Sequence, residues 1–103
     1  TLHYGSPDDA IVIDDFTLAH LKAIAVLKLR RNESFAISWL HPGSPPGRST
    51  IWLHPAIPLR FTFDEAIPAE LDTRWMQQLN EAANSNRGIQ LAAERIAPRA
   101  SHA

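Results

Sequence analysis

Large apolar residues recur with a period of two in several stretches of this chain. Phe35, Ile37 and Trp39 alternate with the smaller Ser34, Ala36 and Ser38. Leu59, Phe61 and Phe63 alternate with Arg60, Thr62 and Asp64. A period of two puts alternate side chains on opposite faces, so both stretches predict strands with one apolar face. Ser49–His54 predicts another, and a Pro/Gly loop over His41–Arg48 separates it from the strand at 34–39. Pro55 and Pro58 follow, and neither donates a ladder hydrogen bond. At the start, Leu2 and Tyr4, a turn over Gly5-Ser6-Pro7-Asp8-Asp9, and Ile11-Val12-Ile13 predict a hairpin. Ile89 and Leu91 predict a last short strand.

Two stretches carry a helical pattern instead. Residues 16–31 contain no Gly or Pro and are rich in Leu, Ala and Lys. Asp14 or Asp15 is placed to cap the helix, and Lys28, Arg30 and Arg31 complement its C-terminal dipole. Leu18, Leu21, Ala25 and Leu29 cover one side, while Phe16, Ala23, Ile24 and Leu27 spread over the other. A helix this apolar is covered on more than one face, by a sheet or by another subunit. Asp72 predicts the cap of a second helix, with Leu71 and Met76 spaced as a hydrophobic staple. Its inward stripe is Trp75, Leu79, Ala82 and Ala83, and Asn84-Ser85-Asn86-Arg87-Gly88 ends it. The order β-β-α-β-β-β-α-β predicts an α+β two-layer sandwich, a mostly antiparallel sheet with two helices on one face. The domain is expected over 1–96, with a frayed tail at 97–103.

The word Trp-Leu-His-Pro occurs twice, at 39–42 and 52–55. The flanking residues do not match, so the two copies read as the ends of paired antiparallel strands, not as a repeat. Placing Trp39 opposite Ile51 and Ile37 opposite Leu53 sends all four to the core. Trp52 and His54 then face away from it, beside Ser38 and Ala36.

Composition narrows the class. At 103 residues the chain is one small domain, and 45% hydrophobic content gives it a core. A net charge of -1 provides no global field for nucleic acid or anionic membrane. With no cysteine there is no disulfide, thiolate nucleophile or cysteine metal site, which fits a cytoplasmic location. No apolar run approaches the roughly 18–20 residues of a membrane span. Thr1–Tyr4 has neither a basic region nor a signal-like apolar stretch, and a small first residue is expected where an initiator Met has been removed.

Candidate chemistry is sparse. His41 and His54 are separate strand-end histidines without a third ligand at metal-binding spacing. No serine sits in a nucleophile elbow, and the glycines form no phosphate-binding loop. Asp64-Glu65 reads as a solvated turn pair. Neither a catalytic set, a metal site nor a cofactor is expected. The leading expectation is a binding domain. The alternative is an accessory protein that binds single-stranded nucleic acid through Arg30, Arg31, Arg48 and Arg60, with Trp52 as the stacking ring and His54 beside it. The Pro-rich segment at 42–47 reads as a connector before it reads as a recognition segment.

The stretches "LAHLKAIAVLKLRRNESFAISW", "GRSTIWLHPAIPLRF" and "ANSNRGIQL" resemble a family of small uncharacterised actinomycete proteins. The resemblance covers roughly residues 2–92. Members of that family often carry the label ATP-dependent DNA ligase, and the resemblance implies no catalytic residues. A ligase nucleophile needs the setting Lys-x-Asp-Gly. The lysines here begin "KAIA" at Lys22 and "KLRR" at Lys28, and neither matches, so what the label of the resembling family implies for this chain is an accessory role. Finally, Leu40 and Trp52 on the face turned away from the core predict a homodimer interface.

Overall fold

The structure is a computed structural model that describes residues 1–6, 10–41, 47–92 and 95. Its elements run β1 (Leu2–Tyr4), β2 (Ala10–Ile11), α1 (Asp15–Arg30), β3 (Phe35–Leu40), β4 (Arg48–Leu53), β5 (Leu59–Phe61), α2 (Thr73–Ala83) and β6 (Ile89–Leu91). The class is α+β, as the pattern predicts. The tail at 97–103 and most of the Pro-rich loop lie outside the described residues.

The strands form two sheets of three, ordered β2-β1-β5 and β4-β3-β6, where one sheet was expected. Pro55 and Pro58 supply the reason. Between them the chain makes a turn in which the Ile57 amide donates to the His54 carbonyl. The β4 ladder cannot continue through residues without an N–H. Strand β5 instead pairs antiparallel with β1, Leu2 against Phe61. The sheets stay linked through the Tyr4 hydroxyl, which donates to the Trp52 carbonyl. In the second sheet β3 pairs antiparallel with β4 and parallel with β6.

The β3–β4 register also differs from expectation, by two residues. Ile37 faces Ile51, Phe35 faces Leu53, and Trp39 faces Ser49, while Trp52 lies opposite Ala36. The expected register would have set Phe35 opposite Pro55. The observed one pairs all six residues of β3 before Pro55 is reached. A shift of two preserves the faces. Trp39 is therefore buried and Trp52 exposed, the side assignment read from the pattern.

A single core joins both sheets and both helices. It contains Leu2, Ile13, Leu18, Leu21, Ile24, Phe35, Ile37, Leu53, Leu79 and Ile89. Helix α1 starts at Asp14, whose side chain accepts the Thr17 amide at 2.8 Å and the Thr17 hydroxyl at 2.7 Å. It ends where Asn32 takes φ 63°, a left-handed turn that asparagine tolerates.

The two helices are tied together at two levels. Near the start of α2, buried His20 donates from Nδ1 to the Phe16 carbonyl at 2.7 Å and accepts the Asp72 amide on Nε2 at 2.8 Å. Near the end, buried Lys28 donates from Nζ to Asn84 Oδ1 and lies 3.4 Å from Glu33. His20 precedes Lys28 as Asp72 precedes Asn84, so the helices lie side by side and run the same way. Phe16 and Trp75 stack at 5.5 Å and both rings touch His20, at 4.5 and 4.6 Å, while Arg95 covers Trp75 at 4.5 Å.

The turn after α2 brings its backbone against β3 at Gly88. There φ is +71°, and an added Cβ would sit 2.5 Å from the Ala36 carbonyl oxygen. Both the left-handed φ and the contact with backbone require glycine. Gly88→Ala is expected to cost about 2 kcal/mol or more. Urea unfolding measures this as a lower midpoint at an unchanged slope.

Candidate functional site

Helix α1 buries Leu18, Leu21, Ile24 and Ala25. A second apolar row, Ala19, Ala23, Val26 and Leu27, recurs at i, i+4, i+7 and i+8 and so lies on another face. Val26 is 49% exposed and Leu27 41%. This row is one wall of a solvent-open groove of about 830 Å³.

The facing wall is the segment from Phe63 to Leu71, which has no regular secondary structure. Ile67 on this wall is 83% exposed, the most exposed large apolar side chain among the described residues. Leu71 and Met76, the expected staple pair, close the groove where α2 begins.

A single carboxylate holds this wall to α1. Asp15 Oδ1 accepts the Asp64 amide at 3.0 Å, and Oδ2 accepts the Glu65 amide at 2.9 Å. Two consecutive amides on one carboxylate favour its charged form. The amide of Asp64, then that of Glu65, hold the Asp15 carboxyl below its ordinary value of 3.8. Farther along, Lys22 Nζ sits 5.8 Å from the Phe63 ring centre, a cation over an aromatic face.

The groove was not among the residues singled out from the sequence. The signal was present as surplus apolar positions on α1, which predicted a covering layer without saying where. Ile67 has no periodic neighbours, so nothing in the pattern marked it.

The residues that were singled out do not gather at one place. Arg30 and Arg31 are exposed at the C-terminal end of α1. Arg48 starts β4, opposite Leu40, and stands about 16 Å from the Leu53 end of that strand. Arg48 and Trp52 share the outward face of β4, where Trp52 is 58% exposed. Arg60 lies on β5, in the other sheet. The His54 ring accepts the Ala56 amide on Nδ1 at 3.0 Å, a local turn contact. His41 Nε2 lies 2.5 Å from Ser49 Oγ. Among the described residues no three His, Asp or Glu side chains converge as a metal site would require. No helix among them is long and apolar enough to cross a membrane.

Fold and site define a small α+β domain with an apolar groove along its first helix. The chain belongs to the family of the domain of unknown function DUF7882, which it matches over residues 1–94. No curated protein and no solved structure matches it.

The Asp15 contacts carry a pH signature. A carboxyl whose pKa is lowered by folding stabilises the fold above its unfolded pKa. That contribution is lost as pH falls through the lowered folded value. In Asp15→Asn the side-chain amide has one acceptor oxygen for two donors. The stability gap between wild type and Asp15→Asn is expected to be full at neutral pH, to begin to shrink as the pH falls below 3.8, and to shrink further as the pH falls through the lowered folded value. Thermal unfolding against pH measures the gap. Faster amide exchange at Asp64 and Glu65 in the variant localises it.

Proposed function

We propose that this domain acts by binding, without catalysing a reaction, and that the groove along α1 receives a partner polypeptide in the cytoplasm. The observation that carries the reading is the wall of exposed apolar side chains, Val26, Leu27 and Ile67, facing one another across an open groove. Exposed apolar surface gathered in one concave place marks interaction sites. Covering a fully exposed side chain of this size is worth about 1.5–3 kcal/mol, and Val26 and Leu27, already more than half covered, offer roughly half of that each. The ligase label of the family that the chain resembles fits an accessory role of this kind, in which the domain docks beside an enzyme. The lysines are consistent with that. Lys28 is buried against Asn84 and Glu33, and Lys22 lies over Phe63.

Nile red, a neutral apolar dye, tests the groove. Its fluorescence is expected to rise with the wild type and to fall back with Val26→Glu and with Ile67→Glu. Both positions are exposed, so both variants keep the fold. Equal dye response in all three proteins removes the groove reading.

The outward face of the β4-β3-β6 sheet supports a second reading. Leu40 is 44% exposed there, with Trp52 on the same face, and the centre is kept flat by Ser38 and Thr50, whose hydroxyls lie 2.7 Å apart. We propose that two copies pair across this face, since a symmetric dimer needs only one self-complementary patch. Sedimentation is expected to show a dimer for the wild type and a monomer for Trp52→Ala and Leu40→Glu. A wild type that stays monomeric at high concentration, with tryptophan quenching by single-stranded DNA that salt abolishes, would assign the face to nucleic acid through Arg48 and Trp52 instead.

A further inference from the structure

We infer that the occupant of the α1 groove is an amphipathic helix of a partner protein whose apolar stripe is flanked by basic residues. The inference rests on the groove reading and adds the partner's conformation and charge.

The conformation follows from what lines the groove. Its walls come from α1, the 63–71 segment and Met76, and no strand contributes. A docking chain therefore meets side chains, not a free row of strand amides and carbonyls. That excludes strand addition and leaves the mode in which a helix lays its apolar face into a hydrophobic groove. On α1 the two alanines, Ala19 and Ala23, form a hollow between larger neighbours. Small residues on one ridge let a second helix approach to the usual interaxial distance of about 8–10 Å. From Asp15 to Leu27 the groove-lining part of α1 is about 18 Å long, room for three turns of a partner helix.

The charge follows from the rim. Asp15 and Glu65 line the groove, and Asp64 and Glu70 are exposed on the segment that forms its outer wall. None of them has an ion-pair partner among the described residues, whose one salt bridge joins Lys28 to Glu33. The lysine on the opposite wall, Lys22, lies over Phe63. Acids along this one edge of an apolar floor select lysine or arginine beside the apolar stripe and repel an anionic surface.

The test uses the full chain and two labelled helical peptides of about three turns or more. They share one leucine stripe. One is flanked by lysines and the other by glutamates. Fluorescence anisotropy is expected to show the lysine-flanked peptide binding at least about ten-fold tighter, with the advantage shrinking as salt is added. Charge reversal by Glu65→Lys with Glu70→Lys is expected to invert the preference. Val26→Glu is expected to abolish binding of the lysine-flanked peptide. Equal affinity for the two peptides overturns the charge assignment. A lysine preference that survives Val26→Glu places binding elsewhere and overturns the inference too. Failure of both peptides while Nile red still enters the groove removes the helical partner and leaves the groove reading standing. Binding to vesicles of phosphatidylcholine and phosphatidylglycerol, in place of the peptides, would reassign the surface to membrane.

Discussion

The geometry of this domain depends on the polar ties between α1 and α2. Between two apolar helix faces, two side chains that water would otherwise claim are buried and satisfied. His20 spans from the Phe16 carbonyl to the Asp72 amide, and Lys28 reaches Asn84. Leaving such a group buried and unpaired costs about 1–3 kcal/mol, more where it is charged. Apolar packing alone would tolerate a sliding of one helix along the other. Directional bonds at two levels do not. They fix the start of α2 against the middle of α1, and its end against the last turn of α1.

That fixed placement decides what is left uncovered. With α2 and both sheets taking the core faces of α1, the row Ala19, Ala23, Val26 and Leu27 is only partly covered. The 63–71 segment runs beside this row because Asp15 holds the Asp64 and Glu65 amides. Of those two residues Glu65 lines the groove, so its charge falls at the edge. One carboxylate at the helix start thus positions the wall of the groove and, through it, the acidic border. Asp15 also lies in the first turn of α1, where negative charge complements the helix dipole.

The two surfaces that we assign to partners differ physically. The groove is concave, built by side chains of a helix and an irregular segment, and bordered by acids. The sheet face is flat, with Ser38 and Thr50 at its centre and Trp52 and Leu40 around them. A flat face suits another flat face, and a concave one suits a ridge. Their composition makes them separable, because a glutamate at Val26 and one at Leu40 fall on different elements.

Much of the fold was legible in the residues alone. Asp14 and Asp72 cap helices where they stand, since a side chain accepts amides only a few residues ahead of it. The period-two stretches at 34–39 and 49–54 became strands, the one at 59–64 stopped at Phe61, and Trp39 and Trp52 took opposite sides, because alternation is a property of the strand itself. Tertiary structure decided the rest. Parity cannot distinguish registers that differ by two, and only pairing up to Pro55 chose between them. The division into two sheets needed β1 to be present as a partner for β5. The groove needed the 63–71 segment to be brought beside α1 by a bond between Asp15 and residues about fifty positions away. Sequence fixes what each residue can satisfy nearby; which distant group satisfies it is settled only when the chain closes on itself.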